Sequence, residues 1–427
     1  MRLFNKVRRD GPMSGAAVFF TVFLPFALGH FLSSMLRNVN AVLGPALQAD
    51  LPLTPAQLGL LTSAYFFSFA LVQLPVGIAL DRHGPRAVQL AMMTVAAAGV
   101  TMFAMGDSFS ELLCARAVMG AGLGGCFMSA VKAVSSAVAP AKLPSVHGYL
   151  IAVGGVGAAS ATLPVKFALQ FADWRSLFAA LAAVAAIIGL LIYLLGPPAK
   201  AAAARPPVSL KSLLEVFRDP HFRDVTSLIL IPHTVFFGMQ GLWMGRWLSD
   251  VGVMDESAVA YLLYLSMAAV VAGAVMVGKI TEWASRRGIR PMSVAAAGIV
   301  LFVSIQLAMA CGLAANFQVL AISFALTGTI TGLEYAIVAQ NMPAALTGRA
   351  ATCLNLLIFL GAFLVQAAFG LLLSCWATDT AQHYPAVAYR TGFGLLVLLQ
   401  LPGLVRFFWR RRGGKPASGK GLRMGAA

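Results

Sequence analysis

The sequence predicts an all-α membrane protein: twelve transmembrane helices in two pseudo-symmetric six-helix bundles, with both termini cytoplasmic. Three observations predict it. Of the 427 residues, 59% are hydrophobic and only 11% charged, giving a mean hydropathy of +0.83. A soluble domain cannot hide that much apolar surface, because its surface-to-volume ratio demands polar cover. The apolar residues fall into twelve stretches, each near the ~20 residues that cross a hydrocarbon core. A glycine-acid-basic pattern also recurs about half a chain apart, as an internally duplicated six-helix unit would show.

The stretches, spans one to twelve, cover about 17–43, 56–80, 87–106, 111–139, 146–168, 174–196, 225–248, 257–278, 292–312, 316–340, 350–374 and 390–408. Between them stand turn residues and charges: Asp50 to Pro52, Asp107, Pro140, Asp173, Asp250 and Asn341 to Pro343. The domain plan is an N-terminal bundle over 1–196, a cytoplasmic linker over 197–224, a second bundle over 225–412 and a basic tail over 413–427. The linker opens with Gly196-Pro197-Pro198 and holds one short amphipathic helix around Leu210–Phe217. The charged start before the first apolar run has a signal peptide's n-region. That run is too long for an h-region and has no convincing cleavage site, so it reads as an uncleaved helix.

Orientation follows from the basic residues. With the N-terminus inside, most of the 31 lysines and arginines fall on inner segments, among them Arg82, Arg86, Lys142, Lys211, Lys279, Arg287 and Arg349. The outer loops hold Arg175 and Arg390 against Asp50, Asp107, Glu111, Asp173, Asp250, Asp255, Glu256 and Asp379. That bias is the positive-inside rule, and an even number of spans agrees with it. It also explains the net charge of +16 without nucleic acid, since no basic, polar domain exists to hold one. The five cysteines show neither CxxC nor metal spacing and read as small packing residues; Cys311 and Cys375 share an outer location, but nothing supports a disulfide. No P-loop occurs, so any coupling is to ions or gradients.

The repeat is explicit. Gly77, Asp81, Arg82, Gly84 and Arg86 follow span two; Gly278, Glu282, Arg286, Arg287 and Gly288 follow span eight. Gly157-Ala158 in span five has its echo in Gly361-Ala362 in span eleven. With these residues the sequence resembles the major facilitator superfamily. The first copy is similar to that family's loop motif G-x-x-x-D-R-x-G-x-R, with only the second closing base replaced, by Ala87. Arg116, Gly120 and Gly122 in span four resemble a second family motif, R-x-x-x-G-x-G. The resemblance implies a secondary transporter in which the loop motif biases the conformational equilibrium. Physically, Gly77 is expected to let helices approach closely, and Asp81 to meet the positive N-terminal end of span eleven. The glycine-proline signature of drug antiporters is not in span five, where Pro164 comes late.

Ionisable groups inside spans are expensive and usually face a cavity or a partner. Here they are Arg37, Arg116, Lys132, Lys166, Arg246 and Glu334, with His30 and His233. Lys166 and Arg246 lie near outer helix ends and are expected to snorkel, Arg246 beside a Trp243 typical of an interfacial belt. Arg116 is structural or proton-linked. His30, Ser33, Ser34 and Arg37 stand at i, i+3, i+4 and i+7, one polar stripe on an apolar helix. Arg37, eight residues before Pro45, is similar to the substrate arginine of the superfamily's organic-anion branches. The stripe and Gln240 in span seven are therefore the substrate-site candidates. Phosphate-ester carriers use a second arginine in span seven, where the mate of Arg37 is Gly238, so a monoanion such as a carboxylate fits better. Glu334 is the acid deepest in a span; Lys132, in the equivalent helix of the other half, is its expected neighbour, as an ion pair, a coupling site or both.

The expected function is proton-coupled transport of a small organic anion across a bacterial inner membrane. Export of an amphipathic metabolite or drug, and a non-transporting sensor, are the alternatives. The expected partners are the substrate, protons and the lipid bilayer, with no cofactor, no metal and no nucleic acid. The chain is expected to act as a monomeric carrier rather than an enzyme.

Overall fold

In the computed structural model, which describes residues 15–138, 143–196, 210–313, 316–342, 344–378 and 383–412, twelve helices are long and apolar enough to cross a membrane. They are Gly15–Asn38, Ala56–Leu80, Arg82–Met105, Phe109–Ala137, Tyr149–Ala168, Trp174–Leu195, Pro220–Asp250, Glu256–Arg286, Pro291–Ala310, Phe317–Val338, Arg349–Leu373 and Ala386–Arg410. Span seven begins at Pro220, five residues earlier than hydropathy suggests, because Asp219 caps it by accepting from the Phe222 amide at 2.9 Å. The linker helix runs Leu210–Arg218 with Val216 buried. The positions of Lys142, residues 197–209 and the tail 413–427 lie outside the described residues.

One end of the bundle is basic and the other acidic. The acids of the second end have a local cause. Spans two, four, six and eight start there, and lipid cannot satisfy the first amides of a helix. Thr54 and Gln57 form a reciprocal capping box, and Ser108, Asp173 and Asp255 each accept from an amide in the first turn. Arg175 then ties this end of the first half together, at 2.7 Å from Asp50 and 2.9 Å from Asp107.

Spans one to six pack among themselves, as do seven to twelve. The halves meet where span two lies on span eleven and span five on span eight. At the first seam the Trp243 indole wedges between Gly59 and Gly370 and donates to the Gln366 carbonyl at 3.0 Å. Trp243 is fully buried, so it is a packing plug and not part of an interfacial belt. Lys166 and Arg246 are likewise corrected. They reach protein partners instead of snorkelling: Lys166 pairs with Glu256 across the halves, and Arg246 donates to Gln48 at 3.2 Å and lies 3.5 Å from Asp250. All five cysteines are free.

Spans one, two, four, five, seven and ten depart from regular α-helix, span two at Val72 and span five at Ala161-Thr162. Span one has a π turn at Phe19–Phe23 and bends at Val39, and span four breaks at Gly124-Gly125. Span seven has a π turn at Met239–Trp243, and span ten a 3-10 turn at Thr329–Gly332. Irregular backbone at membrane depth survives only where protein or a cavity shields it. Spans seven, four and ten are the most buried of the twelve, whereas span one is among the least.

Candidate functional site

Spans one, four, seven and ten carry most of the charges in question, and span five carries Lys166. Arg37 emerges on span one and leaves its own half. Its guanidinium lies 5.3 Å from the Phe237 ring centroid on span seven and 5.7 Å from that of Phe359 on span eleven. Among the described residues no carboxylate or carbonyl pairs with it; two aromatic faces hold it at the junction of the halves. Phe359 packs in turn on Phe69 at 4.2 Å and Phe66 at 6.0 Å, so the arginine tops an aromatic cluster built from both halves.

The rest of the predicted stripe points elsewhere. Ser33 is buried, donating to the Leu123 carbonyl at 3.2 Å and accepting at its own carbonyl from Tyr65 at 3.1 Å. Ser34 is buried and its carbonyl accepts from Asn38 at 2.8 Å. His30 packs on Gly154 of span five and on the Phe127 ring at 4.9 Å. Arg37 therefore faces the second half while Ser33 and His30 turn inward to their own. Helical spacing alone cannot separate these directions, because a stripe of i, i+3 and i+7 is broad enough to touch three neighbours.

Gln240 sits in the π turn of span seven, buried, with both amide atoms unpartnered. At Gly238 an added Cβ would lie 2.9 Å from Val365, so span eleven occupies the space a second arginine would need.

The structure corrects the pairing of Glu334. Its Oε2 lies 3.0 Å from His233 Nδ1 on span seven, and neither side chain is more than 5% exposed. Lys132 instead donates to the Leu80 carbonyl at 2.7 Å, at the end of span two, where the last carbonyls of a helix attract a cation. The reason is packing: span ten lies on span seven of its own half, while Lys132 faces span two of its own half. Glu334 Oε1 is buried without a hydrogen-bond partner. Phe237 joins the two centres, because its ring lies tilted 5.2 Å from the His233 ring and also within 5.3 Å of the Arg37 guanidinium. Residues missed in the sequence extend this set. Tyr335, next to Glu334, donates to Asn355, whose amide reaches Gln73 of the first half at 3.5 Å.

Arg116 is completely buried. It donates to the Leu36 carbonyl at 2.8 Å and lies 5.3 Å from the Phe103 ring, with Nε and Nη2 unpartnered. It braces span one at the residue before Arg37.

In the loop motif, Gly84 adopts φ of 76°, which turns span two into span three. Arg82 is exposed, and Arg86 stacks on Tyr193 at 4.9 Å. The close helix approach expected at Gly77 is not there: a Cβ at Gly77 or at Gly278 would meet nothing within 4 Å. The side chain of Asp81 lies outside the described residues. Its counterpart Glu282 pairs with Arg286 on its own helix at 2.6 Å. Among the described residues no group of three His, Cys, Asp or Glu could hold a metal ion.

Comparison with known proteins agrees with this architecture. The chain is 27% identical over 157 residues to a probable sulfoacetate transporter of Cupriavidus necator, covering 37% of this chain and 36% of that one. It is 29% identical over 129 residues to a hexuronate transporter of Bacillus subtilis, covering 29% and 31%. The matched segments thus span about a third of each relative. The fold matches the inward-facing, unoccupied crystal structure of a bacterial homologue of the human lysosomal transporter Spinster. There the TM-score is 0.75 at 17% identity, over 95% of this chain and 100% of the other. The sequence model of the Major Facilitator Superfamily matches residues 26–366, most of the chain. Two six-helix halves, the loop motif with its echo and this match together place the chain in the major facilitator superfamily, a family of membrane transporters.

Proposed function

We propose that this chain is a secondary transporter of a bacterial inner membrane that moves a small organic anion with protons by alternating access, its basic end facing the cytoplasm. One observation carries the reading. Arg37 stands between the halves, clamped by Phe237 and Phe359, with no protein counter-ion among the described residues. Arg37 is partly buried, a position costly for a guanidinium unless an anion joins it, and a ligand bound there would touch both halves at once. The crowded backbone at Gly238 argues for one cationic ligand and a monoanion such as a carboxylate. The names of the two relatives, which refer to sulfoacetate and hexuronate, support an organic anion. The buried Glu334–His233 pair, one aromatic ring away, is the proposed proton site, and Gln240 a second substrate contact.

A thermal-shift screen of purified protein against carboxylates, phosphate esters and amphipathic drugs tests this, because only a bound ligand stabilises the fold. The best ligand should be an anion. Arg37→Gln should weaken it by about 10- to 150-fold, the worth of a charge-assisted contact of roughly 1.5–3 kcal/mol. Arg37→Lys should fall between, keeping charge but losing the planar fork. If only cations or neutral amphiphiles bind, and Arg37→Gln binds them as wild type does, export of an amphipathic metabolite or drug replaces organic-anion transport as the reading.

A further inference from the structure

Outside the central site an unexplained feature is an open cavity of about 600 Å³ at the basic end of spans three and six, lined by His83, Arg86, Leu90, Thr94 and Tyr193 among others. We propose that it binds an anionic glycerophospholipid of the surrounding leaflet. The lining changes character along one line. Arg86, Leu90 and Thr94 stand at i, i+4 and i+8, a single stripe of span three running from the basic end into the membrane. His83 and Arg86 stand at its mouth, with exposed Arg82 beside them in the chain. A soluble anion has no use for the apolar stripe, and an acyl chain has none for the cations. A molecule with a phosphate head and a hydrocarbon tail satisfies both.

Arg86 is also prepared for an anion. Its aliphatic stem lies by Gly196, where a Cβ would be 3.4 Å from it, and its guanidinium rests 4.9 Å from the Tyr193 ring centroid. That stacking fixes the plane of the guanidinium, while no carboxylate among the described residues neutralises it. Tyr193 is 44% exposed and its neighbours Leu190 and Leu194 are 54% and 56% exposed, so the cavity opens toward lipid rather than toward the other half. The volume lies within the ~300–1,000 Å³ of ordinary ligand pockets, enough for a head group and the first acyl carbons.

The test uses full-length protein, delipidated in detergent, with native mass spectrometry and thermal shift as readouts. Phosphatidylglycerol should stay bound and raise Tm, while phosphatidylcholine, glycerophosphoglycerol without acyl chains and inorganic phosphate should not. Arg86→Gln should weaken phosphatidylglycerol about fivefold, as expected for one basic residue near an anionic head group. Tyr193→Leu, which keeps the apolar surface but frees the guanidinium, should weaken it less and serves if Arg86→Gln does not fold. Arg286→Gln, on the corresponding loop of the other half, should change nothing. Equal stabilisation by phosphatidylcholine would overturn the proposal, as would stabilisation by the chain-free head group or by phosphate. So would phosphatidylglycerol binding that neither Arg86→Gln nor Tyr193→Leu weakens more than Arg286→Gln does.

Discussion

Gly84 turns the first half from span two into span three at φ of 76°, and Gly288 makes the matching turn between spans eight and nine at the same φ. Span five meets span one so closely at Gly157 that a side chain there would collide with the Phe31 backbone, and span eleven meets span seven in the same way at Gly361, against Thr234. At the spacing that relates these glycines, however, the position matching Glu334 is Ala130, and the one matching His233 is Gly29. Arg116 is matched by Leu320, and Arg37, at the loop-motif offset of 201, by Gly238. The halves thus share what backbone geometry dictates and the charged loop motif, and differ in the ionisable groups buried within the spans. A turn or a tight helix crossing needs the same glycine wherever it occurs. Under the proposed function, one anion site and one proton site need no second copy in the other half.

Breaking the asymmetric side of that comparison gives the largest expected effect. Glu334→Gln keeps a hydrogen-bonding group beside His233 but cannot take up and release a proton. Proton-driven accumulation of substrate should be abolished while energy-independent counterflow persists, as measured in proteoliposomes with and without an imposed pH gradient. Glu334→Ala is a harsher change, leaving His233 buried without its partner at a cost of roughly 3–5 kcal/mol if the histidine is charged. Accumulation by Glu334→Gln at the wild-type level would remove the proton role from this pair and leave it a structural contact of the second half.

The same comparison shows what the sequence made legible. Span number, the repeat and the loop turns follow from hydropathy and from glycines at fixed spacing, because lipid forces every backbone amide into a helix and leaves few choices. Arg37 stood out because a lone arginine deep in a span is expensive. Its neighbours did not, since nothing in the order of residues says that Phe237 and Phe359, more than a hundred positions apart, close on it. Pairing Glu334 with Lys132 used symmetry between spans four and ten, whereas the contact that forms is between neighbours in one half. The legible signal was His233 itself, a titratable side chain in the span packed against Glu334. Trp243 and Lys166 were read by their sequence position near a membrane interface, but close packing at Gly59 and a carboxylate at Glu256 decide where they go.

The symmetric side can be sharpened with matched substitutions. Gly288→Ala should cost about 1–2 kcal/mol, the penalty of a left-handed conformation for a residue with a Cβ. Gly84→Ala should cost about 1–3 kcal/mol, because its φ of 76° and ψ of 166° lie in a region essentially confined to glycine. At Gly288 a Cβ meets nothing within 4 Å, so the cost there is conformational alone. Asparagine, which tolerates the left-handed helical region better, should recover part of the loss at Gly288 and none at Gly84. Thermal denaturation should therefore show Gly84→Ala at least as destabilised as Gly288→Ala. A large loss at Gly84 with none at Gly288 would show that the first turn does more than reverse the chain.

The smallest effect concerns how the acidic end is held shut. Lys166 and Glu256 pair across the halves, while Arg175 bridges Asp50 and Asp107 within the first half alone. Both sites are partly exposed, with Lys166 at 21% and Glu256 at 58%, so each contact is worth ~0.2–1 kcal/mol and is weakened by salt. Their consequences should still differ in kind. A contact between halves exists only while that end is closed, so Lys166→Gln should shift the conformational equilibrium by up to about fivefold toward opening. A contact within one half exists in both states, so Arg175→Gln should lower stability slightly and leave the equilibrium where it was. Spin labels on Ala172→Cys and Val253→Cys, both exposed, lie in acidic-end loops of opposite halves and report their separation. With Cys114, Cys311 and Cys375 replaced by serine, Lys166→Gln should increase the long-distance population in double electron–electron resonance, and added salt should reproduce part of that increase. If Arg175→Gln opens this end as much as Lys166→Gln does, its bridge acts between the halves in function, and the division drawn here between within-half and between-half contacts fails.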